Sequence, residues 1–167
     1  IVAVPLVVVL FYWTHPWSNP LAAIVFIVAA ITDSLDGYLA RRLGLTTPLG
    51  EFLDPVADKL MVATALVLLV GHDTRAFIVI TAVVIIGREI TISALREWMA
   101  KLGRAKSVAV NFLGKIKTVA QLVAIPMLLY HDPIGAWFDP ARIGTWLIYL
   151  AAALTIVSMA YYLKLAG

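Results

Sequence analysis

Long apolar runs, each ended by a short stretch of turn residues, repeat along the whole chain. The runs show no alternation of period two, which argues against the strands of a closed barrel and favours helices. A helix needs about 20 residues to cross a hydrocarbon core of about 30 Å. We therefore predict an all-α integral membrane bundle of six transmembrane helices, over residues 1–13, 20–43, 48–70, 75–99, 108–130 and 141–163.

The composition agrees with this pattern and excludes a soluble globular protein. Of 167 residues, 62% are hydrophobic and 14% are charged, whereas soluble domains are about 45–50% apolar and about 25% charged. Six spans leave room only for short connections, so we expect a single transmembrane domain over residues 1–167. Because the chain opens at Ile1 inside an apolar run, we expect an N-terminal segment to be missing. The lack of cysteine excludes disulfides, thiolate metal sites and cysteine nucleophiles.

The positive charges lie mostly on one side of the predicted bundle. When the spans are threaded as a zigzag, all of the 13 Lys and Arg residues except Arg75 and Arg142 lie nearest one membrane face. The positive-inside rule makes this face cytoplasmic and places both termini there. We also expect Glu89 and Glu97 to pair with basic residues of this face.

Four aspartates fall inside predicted spans, Asp33 and Asp36 in the second and Asp54 and Asp58 in the third. An ionisable side chain there costs at least about 2.5–3.5 kcal/mol, so partners or cations must compensate for it. At about 100° per residue, both spacings place the two members of a pair on one helix face. The short connection over 44–47 makes the two spans antiparallel neighbours, so all four carboxylates can converge near the cytoplasmic side.

Converging carboxylates repel one another and need neutralisation, for which hard divalent cations are the best candidates. Donor sets made only of oxygen suit Mg²⁺ or Mn²⁺ and disfavour zinc or copper. Two such ions about 3.5–4 Å apart suit a phosphoryl displacement. One alternative is that the aspartates only pair with Arg41, Arg42 and Lys59. A second is a divalent-cation transporter, although nothing in residues 84–167 mirrors residues 33–58 as a transporter repeat would.

Small residues continue the aspartate face along the second span. Gly37 and Ala40 leave space over the helix backbone, Arg41 follows at the cytoplasmic end, and Gly50 lies near the start of the third span. A planar base can rest over Gly37 while the guanidinium binds the phosphates of the same ligand. Taken singly, Gly37 or Gly50 is more typical of helix packing.

Residues 33–58 read D-S-L-D-G-Y-L-A-R, eight residues, then G-E-F-L-D-P-V-A-D. This resembles, at each fixed position, the D-x-x-D-G-x-x-A-R-x8-G-x-x-x-D-x-x-x-D signature of the CDP-alcohol phosphotransferases. The resemblance implies a homodimer of six-helix membrane subunits, with Asp58 as the general base. It further implies that two Mg²⁺ or Mn²⁺ ions bind Asp33, Asp36, Asp54 and Asp58. The nucleotide site would be shaped by Gly37, Ala40, Arg41 and Gly50.

Three flanking stretches resemble bacterial members of that family: F-L-D-P-V-A-D-K at 52–59, G-R-E-I-T-I-S-A-L-R-E-W at 87–98 and G-K-I-K-T at 114–118. They imply transfer of a phosphatidyl group from CDP-diacylglycerol to sn-glycerol 3-phosphate, giving phosphatidylglycerol phosphate and CMP. The implied location is the bacterial cytoplasmic (inner) membrane, with the active site facing the cytoplasm. Partners would be the two substrates and membrane lipids, with no nucleic acid. Inositol phosphate, inositol, serine or choline stay open as alternative acceptors.

An acceptor that carries a phosphate needs cations beyond those that face the aspartates. Arg88 in span four and Lys115 in span five lie at cytoplasmic depth, and we predict that they bind the acceptor phosphate. Lys117 is about 200° from Lys115 around the helix, so we expect it to point elsewhere. Arg96 is a weaker candidate. The alternative is that Lys115, Lys117 and Arg96 only extend to lipid headgroups.

Overall fold

The structure, a computed structural model, describes residues 2–44, 47–101, 112–135 and 137–166. For helical residues 41, 48, 51, 52, 54, 55, 96, 112–115 and 162–166, only the backbone is described. These ranges contain six α-helices and no β-strand: α1 (Ala3–Tyr12), α2 (Ser18–Leu43), α3 (Pro48–His72), α4 (Ala76–Lys101), α5 (Phe112–Tyr130) and α6 (Pro140–Ala166). The prediction of six helices is confirmed, and the boundaries that can be compared agree within a few residues. The predicted starts of the first span at residue 1 and of the fifth at residue 108 lie outside the described residues.

Three of the helices are long and apolar enough to cross a membrane, judged by length and composition over the described residues. The candidate segments are Ser18–Ala40, Ala76–Lys101 and Pro140–Tyr161. Two shorter apolar helical segments are Ala3–Tyr12 and Ile116–Tyr130. The chain is therefore a helical membrane protein, and the crossing of the bilayer by all six helices stays a prediction.

The reversal between α2 and α3 is made by local sequence signals. Gly44 ends α2 in the left-handed region with φ of 65°, a conformation that glycine adopts without steric penalty. Thr47 precedes α3, and its Oγ1 accepts a hydrogen bond of 3.1 Å from the Gly50 N–H. Pro48 occupies the first helical position, where its missing N–H is harmless. The C-terminal end of α2 and the N-terminal end of α3, which carry the aspartates, are thereby brought to the same end of the bundle.

A single apolar cluster, to which all six helices contribute buried side chains, holds the bundle together. On α2 it includes Phe26, which precedes Asp33 by seven residues, and on α3 it includes Met61, which follows Asp58 by three. Both side chains are buried against the other helices. Asp33 and Asp58 consequently lie at the edge of the apolar core, on helices whose neighbouring residues are packed in it.

α5 and α6 approach each other closely at Gly144. A Cβ atom at this position would lie 2.9 Å from the Leu128 Cγ and 3.1 Å from the Ala124 carbonyl oxygen. These distances are too short for any side chain without moving backbone. The contact fixes α5 against α6 and, with it, the direction in which the polar face of α5 points.

Candidate active site

Asp33 and Asp36 of α2 and Asp58 of α3 line one cavity of about 540 Å³. Asp33 is half-buried, whereas Asp36 and Asp58 are exposed. Asp36 follows Asp33 by three positions, so the two residues lie on one face of α2, as predicted. Asp54 lies in α3 one turn before Asp58, and its side chain falls outside the described part of the structure. The structure thus brings three of the four predicted aspartates to a common cavity.

The remaining wall of this aspartate cavity is apolar. Val4 and Leu6 of α1 and Ile24 and Val28 of α2 line it. The cavity therefore has a carboxylate end and a hydrocarbon side. Such a shape suits a ligand with a charged head and an alkyl chain, since each part meets a surface of its own polarity.

The donor set of the aspartate cavity suits a hard divalent cation, because it offers carboxylate oxygens without imidazole or thiolate. Among the described residues, which leave out the Asp54 side chain, no three acidic, histidine or cysteine groups lie close enough together to hold a metal ion. Within the same residues neither Asp33 nor Asp36 forms an ion pair. Carboxylates that form no ion pair with the described side chains are consistent with a cation supplied from outside.

The basic residues considered as alternative partners of the aspartates have other hydrogen bonds. Arg42 Nη1 donates to the Tyr38 hydroxyl at 3.5 Å. Lys59 Nζ donates to Ser93 Oγ on α4. The Arg41 side chain lies outside the described residues. The geometry therefore gives no support to a purely structural pairing of Asp33 or Asp36 with Arg42 or Lys59.

Asp58 also lines a second cavity, of about 270 Å³, which is bounded by α2, α3, α4 and α5. We call it the polar cavity, because hydroxyl, amide, ammonium and carboxylate groups reach it from all four helices. Its polar lining comprises Ser34, Asp58, Lys59, Glu89, Thr118 and Gln121. Asp58 therefore lines both the aspartate cavity and the polar cavity.

Arg88, Glu89 and Lys117 form a buried ion cluster next to the polar cavity. Lys117 Nζ donates to Glu89 Oε1, and Arg88 Nη1 lies 3.4 Å from the same oxygen. Arg88 Nη2 donates to Ser158 Oγ on α6 at 3.3 Å. The predicted pairing of Glu89 is confirmed, as is that of Glu97, whose carboxylate lies 2.8 Å from Lys101 Nζ.

The suggestion that Lys117 extends to lipid headgroups is wrong, because its side chain is only 1% exposed. Its ammonium instead turns inward and pairs with Glu89 of α4. Sequence reasoning also missed Gln121, which follows Lys117 by one helical turn and lies on the same face. That spacing of four residues was the available signal. The side chains of Lys115 and Arg96 lie outside the described residues.

The other predicted site residues lie near the aspartates but not in the lining of their cavity. Gly37 and Ala40 are half-buried on α2, beyond Asp36, and Gly50 is half-buried in the first turn of α3. A Cβ at Gly50 would lie 3.1 Å from Thr47 Oγ1, so the glycine leaves room for the capping hydroxyl. A nucleotide site around these residues stays a prediction, as does acceptor binding by Arg88 and Lys115.

The opposite end of the bundle has different chemistry. The His72 and His131 rings lie 4.6 Å apart, a contact that the sequence did not suggest. Arg75 donates to both Asp73 carboxylate oxygens through Nε, at 3.0 and 2.9 Å. This hydrogen bonding lowers the pKa of Asp73 below its ordinary value of 3.8. The carboxylate here is already paired, in contrast to Asp33 and Asp36.

Comparison with known proteins identifies the family. A family model described as CDP-alcohol phosphatidyltransferase matches residues 1–157. The chain belongs to the CDP-alcohol phosphatidyltransferase family. The resemblance read from the aspartate signature is thereby confirmed, and the chain is a membrane-bound transferase of phospholipid biosynthesis.

Curated relatives match over nearly the whole chain. One from Salmonella choleraesuis (strain SC-B67) is 48% identical over 166 residues, covering 99% of this chain and 89% of the relative. One from Escherichia coli (strain K12) has the same identity and coverage. Both are named CDP-diacylglycerol--glycerol-3-phosphate 3-phosphatidyltransferase.

Proposed function

We propose that this family member transfers the phosphatidyl group of CDP-diacylglycerol to sn-glycerol 3-phosphate, forming phosphatidylglycerol phosphate and releasing CMP. The observation that carries the proposal is the convergence of Asp33, Asp36 and Asp58, from two helices, on one cavity with an apolar wall. The names of relatives that are 48% identical over 99% of the chain support the same reaction.

The aspartate cavity is the proposed site of the lipid donor. The apolar wall from α1 and α2 would accommodate the start of an acyl chain, while the diphosphate would lie at the carboxylate end. Two Mg²⁺ or Mn²⁺ ions would be held there by Asp33, Asp36, Asp54 and Asp58. When bound, such ions neutralise charge on the diphosphate and on the leaving CMP. The carboxylates themselves would orient the diphosphate through those ions and keep other anions away.

Asp58 is the proposed general base. Its carboxylate would accept the proton of the acceptor's primary hydroxyl as that oxygen forms a bond to the phosphorus next to diacylglycerol. The bond from this phosphorus to the oxygen of the CMP phosphate breaks, and CMP leaves with the electron pair. The exposure of Asp58 to both the aspartate cavity and the polar cavity supports this role, because the acceptor and the donor must meet at it.

Two further sets of residues complete the proposal. The nucleotide would lie against the small residues and the arginine beyond the aspartates, namely Gly37, Ala40, Arg41 and Gly50. The phosphate of the acceptor would be bound by Arg88 and Lys115. Of these, Arg88 is buried and lies next to Glu89, which lines the polar cavity.

We further propose that all six helices cross the bacterial cytoplasmic (inner) membrane and that the active site faces the cytoplasm. The basic residues near the aspartate end support this orientation by the positive-inside rule. The functional unit would be a homodimer with the fold of CDP-alcohol phosphotransferases, surrounded by membrane lipids.

An acceptor panel tests the proposed reaction. Purified protein, supplied with CDP-diacylglycerol and Mg²⁺ or Mn²⁺, should release CMP with sn-glycerol 3-phosphate and much less with inositol phosphate, inositol, serine or choline. If CMP were released only with another acceptor, the chain would catalyse a different reaction of the same family. Divalent-ion flux into liposomes without CMP release would instead support a transporter.

A further inference from the structure

Gln121 has an unusual environment. Its side chain is only 4% exposed, and it lines the polar cavity. Within the described part of the chain its amide nitrogen Nε2 has no hydrogen-bond partner. Buried polar atoms without partners are rare in folded proteins and point to a missing ligand or water. An orphaned donor that lines a cavity beside Asp58 therefore marks a place where an acceptor atom is expected.

The neighbours of Gln121 indicate what kind of molecule would supply that atom. Thr118 precedes Gln121 by three residues and lines the same cavity, as do Ser34 of α2 and Lys59 of α3. The Ser34 hydroxyl donates to the Ala30 carbonyl at 2.9 Å, which leaves its lone pairs available. Hydroxyl, amide and ammonium groups on several walls suit a small molecule with several hydroxyls, whereas an apolar ligand would leave them unsatisfied.

The charge balance of the polar cavity favours a ligand that carries a phosphate. Glu89 lines the cavity, but its carboxylate is bound by Lys117 and lies 3.4 Å from Arg88 Nη1. The buried ion cluster thus compensates the negative charge that would otherwise repel a phosphate. Asp58 adds a negative charge to the same lining and Lys59 a positive one, so these five side chains together carry an excess of one positive charge.

We propose that the polar cavity binds the polyol phosphate acceptor, and that Gln121 Nε2 donates a hydrogen bond to a hydroxyl of this acceptor other than the one that reacts. This inference rests on the proposed function. Because Asp58 lines both cavities, an acceptor bound here has its reacting hydroxyl beside the base and next to the lipid donor. Gln121 is then a specificity-determining residue, which selects acceptors with a hydroxyl at the neighbouring carbon.

The test compares two acceptors in the full-length protein. sn-Glycerol 3-phosphate has a secondary hydroxyl, whereas 1,3-propanediol monophosphate lacks it and keeps the reacting primary hydroxyl. A site built to bind a hydroxyl discriminates strongly against an analogue without it. We expect the wild type to prefer glycerol 3-phosphate by about tenfold or more in kcat/KM. Gln121→Met should lose this preference, chiefly through a higher KM for glycerol 3-phosphate, with the KM for CDP-diacylglycerol unchanged.

Two further variants keep the result interpretable. Gln121→Leu removes both polar atoms of the amide without adding a charge, so it should also lose the preference, and it provides the test if Gln121→Met does not fold. Thr155→Val removes a fully buried hydroxyl on α6 that donates to the Ala151 carbonyl at 2.6 Å, away from the cavity, and should keep the preference.

The outcomes separate the two proposals. A wild type that releases no CMP with glycerol 3-phosphate would overturn the proposed function. A wild type that is active while both Gln121 variants keep its full acceptor preference would overturn the role of Gln121 alone.

Discussion

Two groups of charged side chains lie within a few helical turns of each other. They differ in whether opposite charges of the chain pair within the group. In the buried ion cluster of Arg88, Glu89 and Lys117, opposite charges from α4 and α5 meet within the protein. In the aspartate cavity, the carboxylates of Asp33, Asp36 and Asp58 share one lining with an apolar wall. The first group pairs opposite charges within the chain, whereas the lining of the second carries carboxylates of one sign.

The difference predicts which property each group chiefly supports. A carboxylate that pairs with two cations is part of the packing, and removing it leaves positive charge in low dielectric. Carboxylates that share a cavity repel each other until a cation or a proton arrives, and that cost is retained only where function requires it. Substitution of the aspartates should therefore chiefly affect activity, whereas substitution of Glu89, which pairs with Lys117 and Arg88, should chiefly affect stability.

The largest effect is expected at Asp58. Asp58→Asn removes the proton acceptor and should lower turnover by about 10²–10⁴-fold while nucleotide binding persists. CMP release and CDP-diacylglycerol binding, measured on the same preparation, check this. Asp132→Asn at the opposite end, where the carboxylate accepts from Asn19 at 3.1 Å, is the matched control and should be fully active. Near-normal turnover of Asp58→Asn would remove it from the role of base.

The next effect concerns Glu89. Glu89→Gln removes the carboxylate shared by Lys117, which is 1% exposed, and Arg88, which is 7% exposed. Loss of one partner from a buried pair should lower the free energy of unfolding by about 3 kcal/mol. Thermal or SDS-induced unfolding in detergent measures it. Glu97→Gln breaks the exposed pair with Lys101 and should change stability little. Equal stabilities of the two variants would show that the buried cluster does not support the fold.

A smaller effect of opposite sign is expected at Asp33. Asp33→Asn breaks no ion pair within the described residues and removes one of the like charges that line the cavity. Stability in the absence of divalent ions should therefore be unchanged or slightly higher, although CMP release falls. The same unfolding experiment with chelator present checks this. If Asp33→Asn lost as much stability as Glu89→Gln, the proposed difference between the aspartate cavity and the ion cluster would be wrong.

The smallest effect belongs to the exposed pair at the other end. Because the Arg75 hydrogen bonds lower the pKa of Asp73, this pair stabilises the folded state fully above the ordinary pKa of 3.8 and loses that contribution as pH falls through the lower folded pKa. Asp73→Asn should therefore reduce stability slightly at neutral pH, and the difference between wild type and variant should shrink as the pH falls below 3.8. If the stability difference persisted at the lowest pH, ionisation of Asp73 would not be its cause.

The sequence predicted those features that depend on local order. The apolar runs predicted six helices, and the boundaries within the described residues agree within a few positions. The spacing of Asp33, Asp36 and Asp58 along adjacent antiparallel helices gave their common cavity. Each of these follows from helical periodicity and chain connectivity, which a single sequence contains.

What the sequence did not predict depends on how helices are rotated against each other. Lys117 and Gln121 lie on a face of α5 that can meet lipid or protein, and only the packing of α5 turns that face towards α4 and the polar cavity. The contact at Gly144 helps to set this rotation, through atoms more than ten residues away along the chain. The contact between the His72 and His131 rings joins the ends of α3 and α5 and has the same origin.

The central claim is that the aspartates converge to bind divalent cations, and Mn²⁺ binding tests it most directly. Free Mn²⁺ can be titrated by electron paramagnetic resonance against the purified wild type and the Asp33→Asn/Asp36→Asn double variant. The wild type should bind two ions per chain, and the double variant, with its fold intact by circular dichroism, should lose this binding. Equal Mn²⁺ binding by both proteins would contradict the account.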